Sequence, residues 1–359
     1  MHVLTIIALA LIAIILFGLI IFLHELGHFI TAKLFKVRVN EFAIGMGPTL
    51  LKFQKGETQY SLKLLPIGGY CAMEGEDEAS NDNRAFGNKP VWQRMIIIVA
   101  GAMMNIIFGI ILMFTLMVQK DTFVTTQIGA FTENSAIEAA GIQVGDTFSR
   151  IDGYKIYTDR DLTFALGIAN PDSVDIEVER DGKTLLFPDT KLNTLPEQVN
   201  GKKIVQLDFK VFGVDKSAGL VLSRSVKETF SMVRMVIETL KGMLTGRFGL
   251  NEMAGPIGTA QVITQAAGQG LQQSFGSAVN NIVLIIILIT VNLGVVNLLP
   301  IPALDGGRFL FLLVELIIRK PVPQKYEGAI HTIGFVLLMG FTVFIAASDI
   351  YKIVTGVTI

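Results

Sequence analysis

The sequence is poor in cysteine, in histidine and in charge of either sign. Its only cysteine, Cys71, excludes an intrachain disulfide and a zinc site built from thiolates, and it is more simply a packed small residue than a nucleophile. The 30 Lys and Arg residues nearly balance the 31 Asp and Glu residues, so the net charge does not indicate binding of nucleic acid. Only 17% of the 359 residues are charged whereas 51% are hydrophobic, and this composition indicates a membrane protein.

Four long stretches lack Asp, Glu, Lys and Arg altogether. They cover residues 3–23, 95–118, about 282–299 and about 329–347, and each is long enough to cross the apolar core of a bilayer as a helix. The first stretch could be mistaken for a secretory signal. No Lys or Arg precedes it, however, it is longer than the apolar region of a signal, and cleavage behind it would remove the histidines described next. We therefore predict four membrane spans.

The first span runs into the motif His24-Glu25-Leu26-Gly27-His28. On a helix the two histidines lie one turn apart and face the same way, so both imidazoles can reach one metal ion with Glu25 beside them. Zinc hydrolases use such ligands, one position open for water and a carboxylate that takes the water's proton. The alternative is that the two histidines are ordinary polar residues at a helix end, with their hydrogen bonds satisfied. The cost of keeping them at the edge of a span favours a metal site, whose third ligand must come from elsewhere.

The third span ends in Asn297-Leu-Leu-Pro-Ile-Pro-Ala-Leu-Asp305-Gly-Gly. Its prolines and glycines interrupt the helix at membrane depth, where irregular backbone persists only if it is buried in protein or lines a polar cavity. Asp305 is the carboxylate that such a cavity could offer to zinc. In the second span, Gly101 and Asn105 favour close helix packing, and support of the metal site is the alternative for Asn105.

The basic residues of the loops set the orientation of the spans. Nine Lys and Arg residues lie between positions 33 and 94, and four lie between 308 and 325. The positive-inside rule assigns both segments to the cytoplasm. The termini and the middle section are then outside, and the first and third spans bring their motifs to the same face of the membrane.

The first cytoplasmic loop predicts a β-hairpin. Strand-like runs at 49–53 and 59–65 flank a turn at 54–57, and the break Pro66-Ile67-Gly68-Gly69-Tyr70 follows. A hairpin beside the metal site could bind an extended substrate by adding a strand to its edge. An ordinary surface hairpin explains the pattern equally well.

Residues 120 to about 213 have the composition of a soluble domain. Strand, helix, turn and strand follow one another over 128–153, and 173–180 alternates as a strand does. This order resembles PDZ domains of the bacterial protease-associated kind, so the section is expected either to hold peptide ends or to act as a spacer or size filter. Beyond it, 225–244 has an amphipathic pattern that suits a helix on the outer membrane surface or one packed beneath the PDZ-like domain.

The two paired motifs and the PDZ-like insertion together resemble the site-2 proteases, in particular the bacterial regulator of sigma-E protease type. The resemblance runs nearly the full length of the chain. It implies that His24, His28 and Asp305 bind Zn2+ and that Glu25 activates the water. The enzyme would be a zinc metalloendopeptidase that cleaves peptide bonds inside the membrane.

The same resemblance implies further site residues. Asn297 would position the substrate or stabilise the oxyanion, and the segment with Pro66, Gly68 and Gly69 would form a re-entrant β element that pairs with the substrate. The implied location is the bacterial inner membrane, with the active site near the cytoplasmic face and the PDZ-like domain outside. The implied partners are the lipid bilayer, membrane-anchored substrates such as anti-sigma factors and remnant signal peptides, and an upstream site-1 protease that trims the same substrate.

The expected fold is an α-helical polytopic membrane protein of about four transmembrane helices, with a membrane-associated β-hairpin and an inserted PDZ-like α+β domain. The expected segments, in chain order, are the first helix with its zinc motif (1–34), the loop with the hairpin (35–94), the second helix (95–118), the PDZ-like domain (119–213), the amphipathic helix and connection (214–278), the third helix with Asp305 (279–310), and the cytoplasmic connection with the fourth helix (311–359).

Two other classes of protein share some of these features. A metal or ion transporter would also place His, Asp and broken helices in the bilayer, but transporters are usually built from repeated halves and this sequence shows no internal repeat. An inactive scaffold that presents a PDZ-like domain would not need Glu25 beside the histidines. Flux of metal into liposomes would favour the transporter, and full function without Glu25 would favour the scaffold.

Overall fold

A computed structural model of the chain describes residues 3–76, 78, 80–199, 202–249 and 253–355. The chain forms two compact units, Met1–Leu112 with Thr239–Ile359, and Met113–Glu238. The helices are α1 (Val3–Leu34), α2 (Val91–Val118), α3 (Ala136–Ala139), α4 (Asp159–Ile168), α5 (Ala218–Leu244), α6 (Pro256–Leu271), α7 (Phe275–Asn297), α8 (Asp305–Ile318) and α9 (Gln324–Thr355). The strands are β1 (Val39–Lys55), β2 (Thr58–Met73), β3 (Thr122–Phe131), β4 (Thr147–Ile151), β5 (Tyr154–Lys155), β6 (Val174–Arg180), β7 (Lys183–Thr190), β8 (Thr194–Val199), β9 (Lys202–Val205) and β10 (Phe209–Asp215).

Four of the described helices, α1, α2, α7 and α9, are long and apolar enough to cross a membrane. This agrees with the four predicted spans. α1 and α9 continue well beyond their uncharged runs, whereas α2 begins only four residues before its run. The run at 282–299 is shifted relative to α7, which begins at Phe275 and ends at Asn297. α7 ends ahead of the two prolines, as predicted, whereas Gly306 and Gly307 lie in the first turn of α8, which begins at Asp305.

The hairpin is larger than the sequence indicates. β1 and β2 meet at a turn that contains Gly56, whose φ is +62°, and β2 continues through the predicted break to Met73. Residues 41–44 lie between two parts of β2, because Glu41 is opposite both Gln59 and Ala72. The last part of β2, residues 69–73, therefore forms an outer row of this sheet, and no other described strand pairs with its far edge.

The last span is fastened to α6 by a buried carboxylate. Asp349 in α9 is fully buried and accepts hydrogen bonds from the backbone amides of Gly255 (3.3 Å) and Gly258 (2.8 Å) at the start of α6. These amides have no partner within their own helix, so the carboxylate satisfies them and complements the helix dipole. A Cβ on Gly255 would lie 2.7 Å from Asp349 Oδ2, which explains why glycine is needed there.

The second unit is built on an antiparallel sheet with the strand order β10-β3-β4-β6-β7, and β5 pairs with β4. Its core contains Ile128, Phe148 and Ile176, which are all at most 1% exposed. Buried Asp146 accepts two hydrogen bonds from Arg180 at 2.6 and 2.7 Å. Burial alone would raise the pKa of Asp146, but these bonds and one from the Gln143 amide hold it below its ordinary value.

α5 packs against α4 within this unit through polar side chains. α4 begins with a capping box formed by Thr158 and Asp161. Fully buried Asp161 also accepts a hydrogen bond from Ser231 (2.8 Å) and pairs with Arg234, both in α5. The packing alternative for this amphipathic helix thus has a structural basis. On the opposite face of α5, Phe230 is 50% exposed. Contact of this face with the membrane surface stays a prediction.

Candidate metal centre

The end of α1 presents two imidazoles on one buried face. His24 and His28 are 8% and 7% exposed, and their Nε2 atoms are 3.3 Å apart. Two glycines allow α1 and α2 to meet here. A Cβ on Gly27 would lie 2.4 Å from the Ala100 carbonyl oxygen, and a Cβ on Gly101 would lie 2.3 Å from His28 Nε2. The close helix packing predicted for Gly101 therefore occurs against the histidines themselves.

Asp305 reaches the same point from the start of α8. Its Oδ2 lies 3.1 Å from His24 Nε2 and 3.4 Å from His28 Nε2. Two glycines make this turn of the chain possible, because a Cβ on Gly306 would lie 2.1 Å from the Leu299 carbonyl oxygen and one on Gly307 would lie 2.5 Å from that of Ile301. The structure thus brings together the three side chains predicted to bind zinc.

The three ligand atoms have the spacing that zinc requires. They form a triangle with sides of 3.1, 3.3 and 3.4 Å. Tetrahedral bonds of about 2.0–2.1 Å place ligand atoms roughly 3.3 Å apart, so the triangle fits one zinc ion with its fourth position free. Two imidazole nitrogens and a carboxylate oxygen are also the kind of donor set found in catalytic zinc sites.

The hydrogen bonds behind the histidines favour metal binding. His28 Nδ1 donates to the Ile97 carbonyl oxygen at 2.8 Å, which leaves the lone pair of Nε2 directed at the site. His24 Nδ1 lies 3.3 Å from the side-chain amide of Asn105. Asn105 Oδ1 is buried and has no partner among the described residues. If this amide is turned by 180°, Oδ1 accepts from His24 Nδ1–H, which satisfies Oδ1 and frees His24 Nε2 for a metal.

Glu25 lies beside this cluster and next to the outer row of the hairpin sheet. Its carboxylate lies close to the backbone of Cys71 in the outer row of β2, so the unpaired edge of this row lies at the site. A Cβ on Gly69 would lie 3.2 Å from Glu25 Cγ. Glu25, the three candidate ligands and residues 70–73 line one polar cavity of about 440 Å³, which is large enough for water and a short length of extended chain.

The predicted substrate-binding residues occupy different positions around the cavity. Asn297 Nδ2 lies 3.4 Å from His24 Nε2, at the metal cluster. Gly69 lies beside Glu25, whereas Gly68 has a φ of +81° and packs against Met46 in the hairpin. Pro66 belongs to β2, but its side chain lies outside the described residues. Asn297 and Gly69 are therefore the two of this group that adjoin the catalytic side chains.

Sequence reasoning missed several residues around the cavity. Tyr70, Glu76 and Arg308 line it, and Arg308 forms an ion pair with Glu76. Glu76 belongs to the acidic stretch 74–83, whose composition predicts a solvated loop, yet its side chain is only 15% exposed. No local pattern could have paired these charges, because they are far apart in the sequence. The position of Arg308 one helical turn after Asp305 is the one signal available.

A second ion pair holds the helix that carries Asp305. Arg94 at the start of α2 contacts Glu315 in α8 through two hydrogen bonds of 2.5 and 3.1 Å. The two side chains are only 11% and 14% exposed. A bidentate pair of this kind has a defined geometry, so it fixes α8 against α2, the helix that also packs against His28.

The sequence is similar to known peptidases along most of its length. Residues 12–341 match peptidase family M50. The chain is 37% identical to a Clostridium perfringens protein that is named as a zinc metalloprotease, over 94% of this chain and 97% of that protein. It is 30% identical to the zinc metalloprotease RasP of Shouchella clausii, over 94% and 97% of the two chains. It is 29% identical to the regulator of sigma-W protease RasP of Bacillus subtilis, over 95% and 97%.

Proposed function

Since this chain belongs to peptidase family M50, the site-2 zinc metalloproteases, we propose that it hydrolyses peptide bonds within the transmembrane segments of single-span membrane proteins. It is a multi-pass membrane protein and a zinc metalloprotease. The observation that carries the proposal is the meeting of His24, His28, Asp305 and Glu25 in one polar cavity among apolar helices. Ionisable groups are costly in such surroundings unless they serve a site.

His24, His28 and Asp305 are the residues that would hold the zinc ion. When bound, zinc polarises the scissile carbonyl and lowers the pKa of a water molecule from 15.7 toward about 7. The chain's own contribution is to fix the ligands before the substrate arrives. Ile97 and Asn105 orient the two imidazoles, and Gly306 and Gly307 allow the tight turn that aims Asp305 at them.

Glu25 is the proposed general base and acid. It follows His24 directly in α1, so its carboxylate lies beside the ligands without being one of them. The carboxylate takes a proton from the attacking water and then delivers it to the nitrogen of the leaving amine. The carboxylate lies near the backbone of Cys71, at the edge of β2 where the scissile peptide would lie.

Asn297 is the proposed donor to the developing oxyanion. Its Nδ2 lies 3.4 Å from His24 Nε2, next to the position of the metal, and it is the last residue of α7 before the irregular segment. A side-chain amide fixed at this point can donate to the carbonyl oxygen as negative charge develops there. Positioning the substrate before the reaction is the other role that this location supports.

The unpaired edge of residues 69–73 is the proposed docking site for the substrate. A peptide bond in a transmembrane helix is hydrogen-bonded and shielded, so the helix must open before hydrolysis. The opened segment would regain backbone hydrogen bonds by pairing with this edge. Cys71 lines the same cavity as Glu25, which supports pairing on the side that faces the catalytic residues.

A proline scan of the substrate would test this pairing. Proline cannot donate a backbone hydrogen bond, so at positions flanking the scissile bond we expect cleavage to fall roughly tenfold at every second residue, because alternate amides of a strand face the enzyme. Alanine at the same positions is the matched control and should have little effect. A uniform increase in cleavage with proline, without alternation, would show that helix opening alone limits the reaction and would contradict strand pairing.

The proposed biological substrates are membrane-anchored anti-sigma factors and remnant signal peptides. The relative from Bacillus subtilis is named as a regulator of sigma-W, which supports a substrate of this class. We propose that the active site lies near the cytoplasmic face of the cell membrane and that the PDZ-like unit lies outside. There it would hold peptide ends or exclude substrates that a site-1 protease has not yet trimmed.

Cleavage of a single-span test substrate by the purified full-length protein in detergent tests the proposed function. We expect cleavage within the transmembrane segment, its loss with a zinc chelator, and its return when zinc is added back. A calcium-selective chelator at the same concentration is the control. Cleavage that persists without zinc would contradict the proposal. Zinc flux into liposomes with no cleavage of any of several single-span substrates would favour a transporter instead.

A further inference from the structure

The segment that delivers Asp305 is held in an unusual backbone conformation. Ala303, two residues before Asp305, has a φ of +77°, in the left-handed region that residues with a Cβ rarely adopt. Such a conformation is strained for a residue with a Cβ and persists only where the surrounding structure enforces it. Residues in contact with Ala303 must therefore hold the turn in this conformation.

The last span provides that contact. The backbone amide of Ala303 donates a hydrogen bond to His331 Nδ1 in α9 at 2.9 Å. The ring of His331 also packs against Phe311 in α8, with 5.6 Å between ring centroids. Since Nδ1 accepts, the imidazole is neutral and carries its proton on Nε2, on the side of Glu327, whose Oε1 lies 4.0 Å away.

A second contact one turn along α9 fixes the same segment. A Cβ on Gly334 would lie 2.4 Å from Pro302 Cβ and 2.7 Å from the Pro302 carbonyl oxygen. The backbone of α9 therefore lies directly against Pro302 and Ala303. His331 and Gly334 share this face of the helix because they are three residues apart.

We propose that His331 is a positioning residue of the zinc site, which acts by holding the left-handed turn at Ala303 so that Asp305 is directed at His24 and His28. The inference rests on the proposed role of Asp305 as a zinc ligand. Without an acceptor at this position the Ala303 amide loses its partner in a half-buried segment. The turn would then relax toward a right-handed backbone, and the carboxylate of Asp305 would move away from the two imidazoles.

Two substitutions separate the hydrogen bond from the packing of the ring. In His331→Asn the side-chain oxygen can occupy the place of Nδ1 and accept the same bond, whereas His331→Leu fills similar space without an acceptor. We expect zinc affinity, measured by chelator competition on the full-length protein in detergent, to fall roughly 10-fold or more in the leucine variant and to stay within about threefold in the asparagine variant. The visible absorption bands of the Co2+-loaded protein should change in the leucine variant only.

A third variant and a control complete the series. Ala303→Gly adopts a positive φ without strain, so it should restore much of the zinc affinity when combined with His331→Leu. Thr332→Val is the control, because Thr332 is exposed and bonds only within its own helix. Asp305→Ala reports on the proposed ligand itself: unchanged zinc affinity in that variant would overturn the assignment of Asp305 and, with it, this inference.

Wild-type zinc affinity and an unchanged Co2+ spectrum in His331→Leu, together with weak zinc binding in Asp305→Ala, would overturn the role of His331 alone. Hydrogen exchange provides a measurement that needs no variant. The Ala303 amide of the unmodified protein should exchange slowly, as a hydrogen-bonded amide does. Exchange as fast as that of an exposed loop amide would also overturn the proposal, even if the leucine variant fails to fold.

Discussion

Replacing Glu25 by glutamine is expected to lower the rate of cleavage by at least about 1,000-fold. Positioned general bases contribute roughly 10²- to 10⁴-fold, and Glu25 would act twice, first as base and then as acid. Glutamine has nearly the same shape and can occupy the same place beside the backbone of Cys71. It has no basic oxygen that can take the water's proton. The measurement is the initial rate of cleavage of a single-span substrate in detergent, with the zinc content of the same preparation.

The zinc content should stay at the wild-type level, because Glu25 lies beside the cluster of His24, His28 and Asp305 and is not part of it. Glu78→Gln removes an exposed carboxylate in the same unit and is the matched control. Cleavage by Glu25→Gln at the wild-type rate would overturn the assignment of the base. Loss of zinc together with cleavage would show that Glu25 is needed to assemble the site, and would contradict the role proposed for it.

Replacing Gly101 by alanine should empty the metal site while the four spans still fold. The new methyl group would lie 2.3 Å from His28 Nε2 and 2.9 Å from His24 Cε1, both far closer than atoms can approach. His28 cannot turn away without breaking its 2.8 Å hydrogen bond to Ile97. A misplacement of about 1 Å at a reacting centre can cost 10²-fold, so we expect zinc affinity and cleavage each to fall by at least about 100-fold.

Gly18→Ala is the matched control for this substitution, because a Cβ on Gly18 of α1 meets nothing within 4 Å. Circular dichroism and gel filtration in detergent would verify that both variants keep their helices and remain monodisperse. Normal zinc binding by Gly101→Ala would mean that α1 and α2 can separate at low cost. That result would contradict a site held rigid by the contact between these two helices.

The parts of the molecule that could be predicted from sequence are those with local signals. An uncharged run is a property of consecutive residues, and the pair His24 and His28 occupies one face of a helix by spacing alone. The irregular backbone after Asn297 follows from its prolines and glycines. Asp305 could be proposed as the third ligand because it lies in this irregular segment, which at membrane depth must be buried in protein or line a polar cavity.

The hairpin shows where local signals are misleading. Pro66, Gly68 and Gly69 indicate a break in the sequence, yet β2 passes through all three positions. Gly68 adopts a positive φ that lets the strand bend, so that residues 69–73 return to the outer side of β1. A glycine that ends a strand and one that curves it have the same sequence signature.

Contacts between distant segments account for most of what was missed. The ion pair of Arg308 with Glu76, the bond from Ala303 to His331, and the pairing of Asp161 with Arg234 each join residues with no periodic relation. A histidine inside the last apolar run was a usable signal, because polar side chains in spans usually have a partner. The sequence could not say that the partner is a backbone amide beside Asp305.

The origin of the three candidate ligands also bears on how the protein is made. His24 and His28 leave the ribosome with α1, whereas Asp305 follows only after α7. A nascent chain therefore carries only two of the three candidate ligands while its first helices are inserted into the bilayer. Proteolytic competence would arise late, once the carboxylate has joined the two imidazoles, so an unfinished polypeptide would not attack its neighbours in the membrane.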